Sequence, residues 1–253
     1  MRKRNSSTSN LKKERRKRKL RVKQKKKNSL TPVLPKDVLF LDDYTGPVYR
    51  FFSEEWQAED FIQGKLYLST LEVCRGYEDA KQGDKEEGHQ TYHTGHISGG
   101  SDDPDFVEKA RRASVGIGPD CTNISIKDCT NTTFIKDAYV LCTTTEFSPE
   151  ILSDTFGKYC VEIKHPRRFF LAVSKRVHTI ATIKEAAMGN IIYKDRTYTG
   201  LDRPPGPMGF VKPSFPYADQ KEFRFMWYVG EDFELQPFVL DCPEIKGMCK
   251  RMH

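Results

Sequence analysis

An abrupt change of charge near residue 28 divides this 253-residue chain into two unlike parts. Residues 1–28 contain 15 Lys/Arg and one acid, Glu14, so this segment carries a net charge of +14. The other 27 Lys/Arg and 34 Asp/Glu give the rest of the chain a charge of −7. The basic segment has too few apolar residues to fold by burying surface. The sequence therefore predicts a disordered basic arm over 1–28, a Pro-containing linker over 29–45 and one folded domain over 46–253.

The basic arm is open to three interpretations. It is a solvated leader, an arm that neutralises nucleic-acid phosphates and releases counterions, or an address signal of the nuclear or nucleolar kind. Such a dense block of positive charge attracts RNA in a cell. We therefore expect nucleic acid, with RNA favoured, as its partner, without sequence specificity because phosphate contacts carry none. The densest run consists of Arg15, Arg16, Lys17, Arg18, Lys19 and Arg21.

The apolar residues and cysteines limit the class of protein. No apolar run approaches the roughly 20 residues of a membrane-spanning helix, and the N-terminus lacks the apolar centre of a secretory signal. The seven cysteines are an odd number, and their spacing shows no regular pattern that would suggest pairs. A disulfide scaffold is therefore not expected. The expectation is a cytoplasmic protein that makes no contact with a membrane.

The hydrophobic pattern of the folded part predicts an α+β domain with short helices. One predicted helix starts at Ser53 as N-cap and ends at Gly64, and others cover 105–113 and 166–176. Long loops are predicted over 75–104 and 200–219, where Gly, Pro and acidic residues are frequent. Strands are predicted at 48–52, 66–70, 137–144, 158–164, 190–194, 221–229 and 235–240.

Three histidines in the first long loop, His89, His93 and His96, have the spacing of a helical metal cluster. Nearby glycines argue against a helix, and a fourth ligand at a typical spacing is missing. We therefore interpret them as solvated loop histidines and predict no metal.

The same loop carries an acidic stretch that has two interpretations. A solvated acidic loop is the favoured one, and a loop that lines a site is the alternative. The residues concerned are Asp79, Asp84, Glu86 and Glu87.

A dispersed set of polar residues carries the strongest functional signal. Arg50 lies in the first predicted strand, Ser69 and Thr70 end the second, and Gln220 and Glu222 open a late strand. Each is ordinary alone, but their order resembles the Arg–Ser–Glu class of mono-ADP-ribosyltransferases. The resemblance implies a mixed, split β-sheet, NAD as a substrate and no metal.

The resemblance also implies roles for these residues. Arg50 would hold the NAD phosphate and ribose, Ser69 and Thr70 would brace the cleft, and Glu222 would be catalytic together with Gln220. Leu71 stands where the family usually has a third hydroxyl. The flanking sequence, including Glu222-Phe223-Arg224, is also similar to a large, mostly bacterial family of uncharacterised domains.

The chemistry suits these residue types. Cleavage of the nicotinamide–ribose bond develops an oxocarbenium-like cation, which the carboxylate of Glu222 would stabilise. Arg50 can bind a phosphate with two parallel hydrogen bonds, and Ser69 can hold Glu222 in position. Tyr67 or Tyr77 could stack on nicotinamide, although ordinary packing explains either tyrosine equally well.

Gln220 bears on the acceptor of the transferred group. In the family, Gln at this position goes with amide side chains or nucleobases, because a neutral amide pairs with an amide or a base edge. Together with the arm, this favours an RNA acceptor. The nearest family role is a bacterial toxin that modifies RNA in phage defence, with an antitoxin as a possible partner. A protein acceptor and a non-enzymatic nucleic-acid-binding module remain alternatives.

Overall fold

The structure is a computed structural model, and it describes residues 37–79, 81–230 and 234–252. The predicted arm and residues 29–36 of the predicted linker lie outside the described residues. The helices are α1 (Glu55–Ile62), α2 (Leu71–Gly76), α3 (Pro104–Arg112), α4 (Pro149–Phe156), α5 (Pro166–His178) and α6 (Ser214–Tyr217). The strands are β1 (Asp37–Phe40), β2 (Val48–Phe52), β3 (Lys65–Thr70), β4 (His89–His93), β5 (His96–Gly99), β6 (Ile124–Lys127), β7 (Thr130–Phe134), β8 (Tyr139–Thr144), β9 (Tyr159–Ile163), β10 (Glu185–Asn190), β11 (Ile192–Tyr193), β12 (Thr197–Thr199), β13 (Val211–Lys212), β14 (Glu222–Tyr228), β15 (Phe238–Asp241) and β16 (Cys249–Arg251).

One large mixed sheet organises the described chain. Its main order is β1-β10-β14-β8-β2-β9-β16, with β3 and β15 joined to it through β8. β1 runs parallel to β10, and the other neighbours in this sheet are antiparallel. Smaller sheets are formed by β12-β4-β7, β5-β6 and β11-β13. The protein is therefore α+β, with mixed sheets and short helices, and no described helix is both long and apolar enough to cross a membrane.

The large sheet divides at β8. One end of β8 pairs with β3, through Val140 and Tyr139, and the other end pairs with β2, through Thr144. The residues between these ends, including Cys142, pair with β14 on one side only. A gap therefore opens between β2 and β3 beside the middle of β8.

The alternating sequence of β14 explains why the sheet is buried on both faces. Phe223, Phe225 and Trp227 point to one face, where they join the main apolar core with side chains of α5. Met226 packs in a smaller apolar cluster on the opposite face. Successive strand residues point to opposite faces, so Glu222 and Arg224 share the Met226 face. Each fully buried large apolar side chain stabilises the fold by about 1.5–3 kcal/mol.

Several predicted elements are confirmed, with shifts of a few residues at their ends. They are the strands near 48–52, 66–70, 137–144, 158–164, 221–229 and 235–240, and the helices near 105–113 and 166–176. The first predicted helix is also present, but its N-cap is Glu54 instead of Ser53. The side chain of Gln57 accepts a hydrogen bond from the Glu54 backbone N–H, at 3.2 Å. Gly64 follows the helix with φ +88°, a conformation that glycine adopts without strain.

Other predictions were wrong, each for a physical reason. The loop predicted over 75–104 contains β4 and β5. In β4 the buried face is formed by Gln90 and Tyr92, so its sequence does not show the alternation of apolar and polar residues that is typical of a strand. The linker prediction over 29–45 fails at β1, which pairs with β10 although its own side chains are mostly exposed. The loop predicted over 200–219 includes β13 and α6. The strand predicted at 190–194 corresponds to β11 and shares only Asn190 with β10, which starts at Glu185.

Candidate functional site

A cavity lies at the gap between β2 and β3. Arg50 enters it from β2, Ser69 from β3 and Tyr77 from the turn after α2, while Gln220 and Glu222 enter from the segment that leads into β14. The structure thus brings together five of the residues that the sequence assigned to an NAD cleft, although they come from distant parts of the chain.

The remaining two predicted binding residues do not line the cavity. Thr70 points away from Ser69 on β3 and is buried, and its hydroxyl accepts a hydrogen bond from the Val73 backbone N–H at 3.3 Å. It therefore caps α2 and does not brace the cleft. Tyr67 lies on the same face of β3 as Ser69, and half of its surface is exposed.

Arg50 is a cation without a carboxylate partner among the described residues. Its Nη1 donates a 2.6 Å hydrogen bond to the carbonyl oxygen of Cys142, at the unpaired side of β8. Its guanidinium lies over the Phe52 ring, 5.5 Å from the ring centre. Burial lowers the pKa of Arg50 from its ordinary value, yet a guanidinium remains protonated at neutral pH. The cavity therefore has a charged donor group available for an anion.

Ser69 presents a buried hydroxyl oxygen to the cavity. The geometry gives this oxygen no hydrogen bond within the described part of the chain. Burial is the main cause that raises the pKa of the nearby Tyr77 phenol, and Ser69 acts in the opposite direction. Ser69 therefore does not hold Glu222, contrary to the role that the sequence suggested.

Glu222 is held by two cations at the start of β14. Its Oε2 lies 2.7 Å from Nζ of Lys212, and its Oε1 lies 2.7 Å from Nη2 of Arg224. Only 4% of Glu222 is exposed. Burial alone would raise the pKa of Glu222, but the charges of Arg224 and Lys212 outweigh burial and lower it to about 2. Glu222 is therefore an ionised, fixed carboxylate at neutral pH.

The ion pairs of Glu222 continue into a buried charge network. Arg224 donates to both oxygens of Glu87, at 2.8 and 3.1 Å, and Nζ of Lys212 lies 3.5 Å from the same carboxylate. Beyond them Arg196 binds Asp84 with two hydrogen bonds. The network contains three acids and three bases, so its charges balance. The free-energy cost of burying these charges is offset by their pairing with opposite charges.

This network corrects the interpretation of the acidic stretch. Asp84 and Glu87 are buried, and Glu87 lines the cavity, so a solvated loop is wrong for both. Asp79 and Glu86 are exposed, as that interpretation predicted. Sequence reasoning missed Lys212 and Arg196, because a single base in a Pro/Gly-rich or polar segment carries no pattern that marks it as buried.

Gln220 is not part of the strand that carries Glu222. It ends a 3-10 turn, and Lys221, with φ +45°, separates it from β14. Its Nε2 donates a 2.6 Å hydrogen bond to the carbonyl oxygen of Lys81. The predicted Gln-x-Glu strand element is therefore wrong in conformation, although both side chains reach the cavity.

The three histidines lie on strands β4 and β5, so the prediction of loop histidines is wrong. His89 stacks on Phe134, with ring centres 5.1 Å apart. Nε2 of His96 lies 3.1 Å from Oγ of Ser125. Within the described ranges, no group of three or more His, Cys, Asp or Glu side chains is arranged to hold a metal ion.

Acid pH should destabilise the protein through the buried carboxylates. The pKa of Glu222 falls from 4.5 to about 2 on folding, so its stabilising effect is complete above pH 4.5 and is lost as the pH falls toward 2. The pKa of Asp84 is lowered as well, because hydrogen bonds and charge from Arg196 outweigh burial.

We expect urea-unfolding midpoints to drop between pH 4.5 and 2. A matched Glu108→Gln variant should retain this drop, since Glu108 is solvent-screened. An unchanged midpoint down to pH 2.5 would contradict the role of the network.

Comparisons with known proteins give no match to this chain. No family model matches the sequence, and neither the curated proteins nor the solved structures contain a match.

Proposed function

We propose that the protein is an NAD-dependent ADP-ribosyltransferase and that the cavity beside β8 is its NAD cleft. One observation carries the proposal. Arg50, Ser69, Thr70, Gln220 and Glu222 were selected from the sequence for their order, and the fold gathers all of them except Thr70, together with Tyr77, around one cavity.

The charge of the cavity supports binding of an anionic nucleotide. The acids Glu87 and Glu222 are neutralised by Lys212 and Arg224, whereas Arg50 has no acidic partner in the described chain. A phosphate that enters would gain a charge-assisted hydrogen bond from Arg50, and a planar guanidinium can bind two of its oxygens. NAD carries its pyrophosphate between two nucleosides, and Arg50 and Lys81, which both line the cavity, can supply positive charge to it.

The ionised state of Glu222 supports its catalytic assignment. A carboxylate has about four lone-pair sites, and the described hydrogen bonds to Lys212 and Arg224 leave capacity for a ribose hydroxyl. Because the carboxylate is already charged and fixed, it needs little reorganisation when positive charge develops on the ribose. The neighbouring cations reduce the net negative potential, so the contribution of Glu222 depends on its direct contact with the substrate.

Incubation with NAD labelled in the adenylate moiety tests the proposal. Full-length protein should release nicotinamide and transfer label to RNA, and label should stay attached through denaturing electrophoresis. Label on an added or endogenous protein instead would keep the transferase proposal and replace the acceptor. Absence of nicotinamide release with RNA, DNA and cell extract would overturn it.

Arg50→Lys should weaken NAD binding about tenfold or more, because Lys keeps the charge but loses the bidentate geometry. The melting temperature should change little, since Arg50 forms no ion pair in the described structure. Isothermal titration of NAD and thermal unfolding on the same sample separate the two effects. Arg168→Lys, on the exposed side of α5, is the control and should bind NAD normally. Unchanged affinity in Arg50→Lys would remove this residue from the site.

The acceptor proposal rests on the basic arm and on Gln220. Because Nε2 of Gln220 is engaged by Lys81, recognition of a base would fall to its side-chain oxygen. Deletion of 1–28 removes +14 of charge, so it should raise the apparent KM for RNA and flatten its dependence on salt by about 0.7 log units per lost single-strand phosphate contact. NAD hydrolysis without RNA should be unchanged. Equal RNA dependence of both proteins at every salt concentration would contradict a role for the arm.

A further inference from the structure

A turn over residues 81–84 forms part of the cavity wall and carries a cation. Lys81 and Gln82 line the cavity from this turn. Lys81 is exposed, and its ammonium group has no carboxylate partner among the described residues. A lysine side chain is a flexible four-carbon stem, so the place of its charge depends on how firmly its backbone is held.

The turn is held tightly by its own residues. The side-chain oxygen Oδ1 of Asp79 accepts hydrogen bonds from the backbone N–H groups of Lys81, at 2.7 Å, and Gln82, at 3.2 Å. The Gly83 backbone N–H donates to the Asp79 carbonyl oxygen at 2.7 Å. A Cβ atom at Gly83 would overlap the carbonyl oxygen of Tyr77. The backbone therefore folds closely back on itself, and an aspartate side chain commonly supports such a turn.

Side chains also join the turn to two other parts of the cavity wall. Nε2 of Gln220 donates a 2.6 Å hydrogen bond to the carbonyl oxygen of Lys81. Nε2 of Gln82 donates a 2.7 Å hydrogen bond to the carbonyl oxygen of Thr155, on α4. Both α4 and Gln220 line the cavity. The turn is thus a bridge between α4 and the segment before β14, and Gln220 is bonded to the residue that carries the cation.

We propose that Lys81 binds the phosphate groups of the nucleotide and that Gln220 is its positioning residue. The inference rests on the proposed function for the choice of ligand. Because Gln220 fixes the backbone of Lys81, the ammonium group loses less conformational freedom when it binds a phosphate. The amide N–H of Gln220 therefore serves nucleotide affinity, and only its side-chain oxygen is left for an acceptor.

Titration of ADP in the absence of RNA tests the inference. ADP carries the adenosine and pyrophosphate of NAD but no nicotinamide, so binding is measured without turnover. Lys81→Met should weaken ADP binding about tenfold, the usual effect of losing a charge-assisted hydrogen bond. Gln220→Met keeps the side-chain length but loses the donor, and it should weaken binding about threefold. The double variant should bind no more weakly than Lys81→Met, because Gln220 acts only through Lys81.

A second variant removes a different bond to the turn. The Tyr217 hydroxyl donates a 2.7 Å hydrogen bond to the Gly83 carbonyl oxygen, but Tyr217 does not line the cavity. Tyr217→Phe should weaken ADP binding in the same direction as Gln220→Met, and this effect should also vanish in the Lys81→Met background. Gln63→Met is the matched control, since Gln63 is exposed and lies outside the cavity. It should bind ADP as the unsubstituted protein does.

Two patterns of affinity contradict the inference. Additive effects of Lys81→Met and Gln220→Met would show that Gln220 does not act through Lys81. Unchanged ADP affinity in Gln220→Met, with only the KM for RNA raised, would leave Gln220 with acceptor recognition alone.

Nicotinamide release on the same samples separates this inference from the proposed function. The expected ADP affinities without nicotinamide release would support the positioning role and reject the transferase. Nicotinamide release with normal ADP affinity in both Lys81→Met and Gln220→Met would keep the transferase and overturn the positioning role. Absence of ADP binding by the unsubstituted protein would overturn the assignment of Lys81 directly.

Discussion

Glu222→Gln should lower NAD turnover by about two to four orders of magnitude, the usual effect of removing an electrostatic stabiliser of the transition state. The side chain keeps its shape but loses its negative charge beside the developing oxocarbenium ion. NAD binding should persist, since Arg50 still supplies the phosphate contact. Single-turnover kinetics with labelled NAD measure the effect on the chemical step.

The buried network complicates this variant, and a matched control resolves it. Glu222→Gln leaves Lys212 and Arg224 with Glu87 as their acidic partner, so the variant should also unfold more easily. Glu87→Gln removes one negative charge from the same network without touching the proposed reacting atom. Both variants should lose stability, but the large loss of turnover should be confined to Glu222→Gln. Equal loss of turnover in the two variants would show that Glu222 is a structural residue only.

Arg224→Met should destabilise the fold by about 3–5 kcal/mol, the usual cost of leaving buried charges without a partner. The Arg224 guanidinium is 1% exposed and hydrogen-bonds Glu222, Glu87 and the Gly209 carbonyl oxygen. Its loss leaves Glu87 and Glu222 with Lys212 as their main remaining cation. Urea unfolding at pH 7 gives the free energy difference.

A surface ion pair provides the control for this variant. Arg111 binds Glu108 through two hydrogen bonds at 2.7 and 2.8 Å, but its side chain is 71% exposed. Arg111→Met should leave the unfolding free energy nearly unchanged, because solvent screens the pair. If Arg224→Met fails to fold, Arg224→Lys should fold with intermediate stability, as Lys supplies charge without the fork. Comparable stability of Arg224→Met and Arg111→Met would contradict the network.

The local sequence predicted those elements in which the positions of the apolar residues match the positions that are buried in the fold. Three strands are recognisable in the sequence because their own residues supply the surface that they bury. They are β2 with its apolar run, β3 with its alternating pattern and β14 with its aromatic residues. The short helix α3 begins with Pro104 after the capping residue Asp103, which is an ordinary start signal. The α+β class follows from such elements, each of which shows its burial in its own sequence.

Strands whose stability comes from their neighbours were missed. β4 has polar residues on its open face, and β1 leaves most of its surface exposed. Both are held by backbone pairing with distant strands, β7 and β10. Backbone hydrogen bonds are the same for every residue type except proline, so these pairings leave little trace in the sequence.

By itself the sequence determined the two-part charge of the chain, the α+β class and the short set of polar residues from which a site could be chosen. Only the tertiary structure decided that Arg50 has no carboxylate partner among the described residues, while Glu222 is held between Lys212 and Arg224. It also moved Thr70 out of the cavity and turned Asp84 and Glu87 inward. The reason is physical: the charge state and reactivity of a side chain depend on burial and on partners brought from distant positions, and neither is encoded in local pattern.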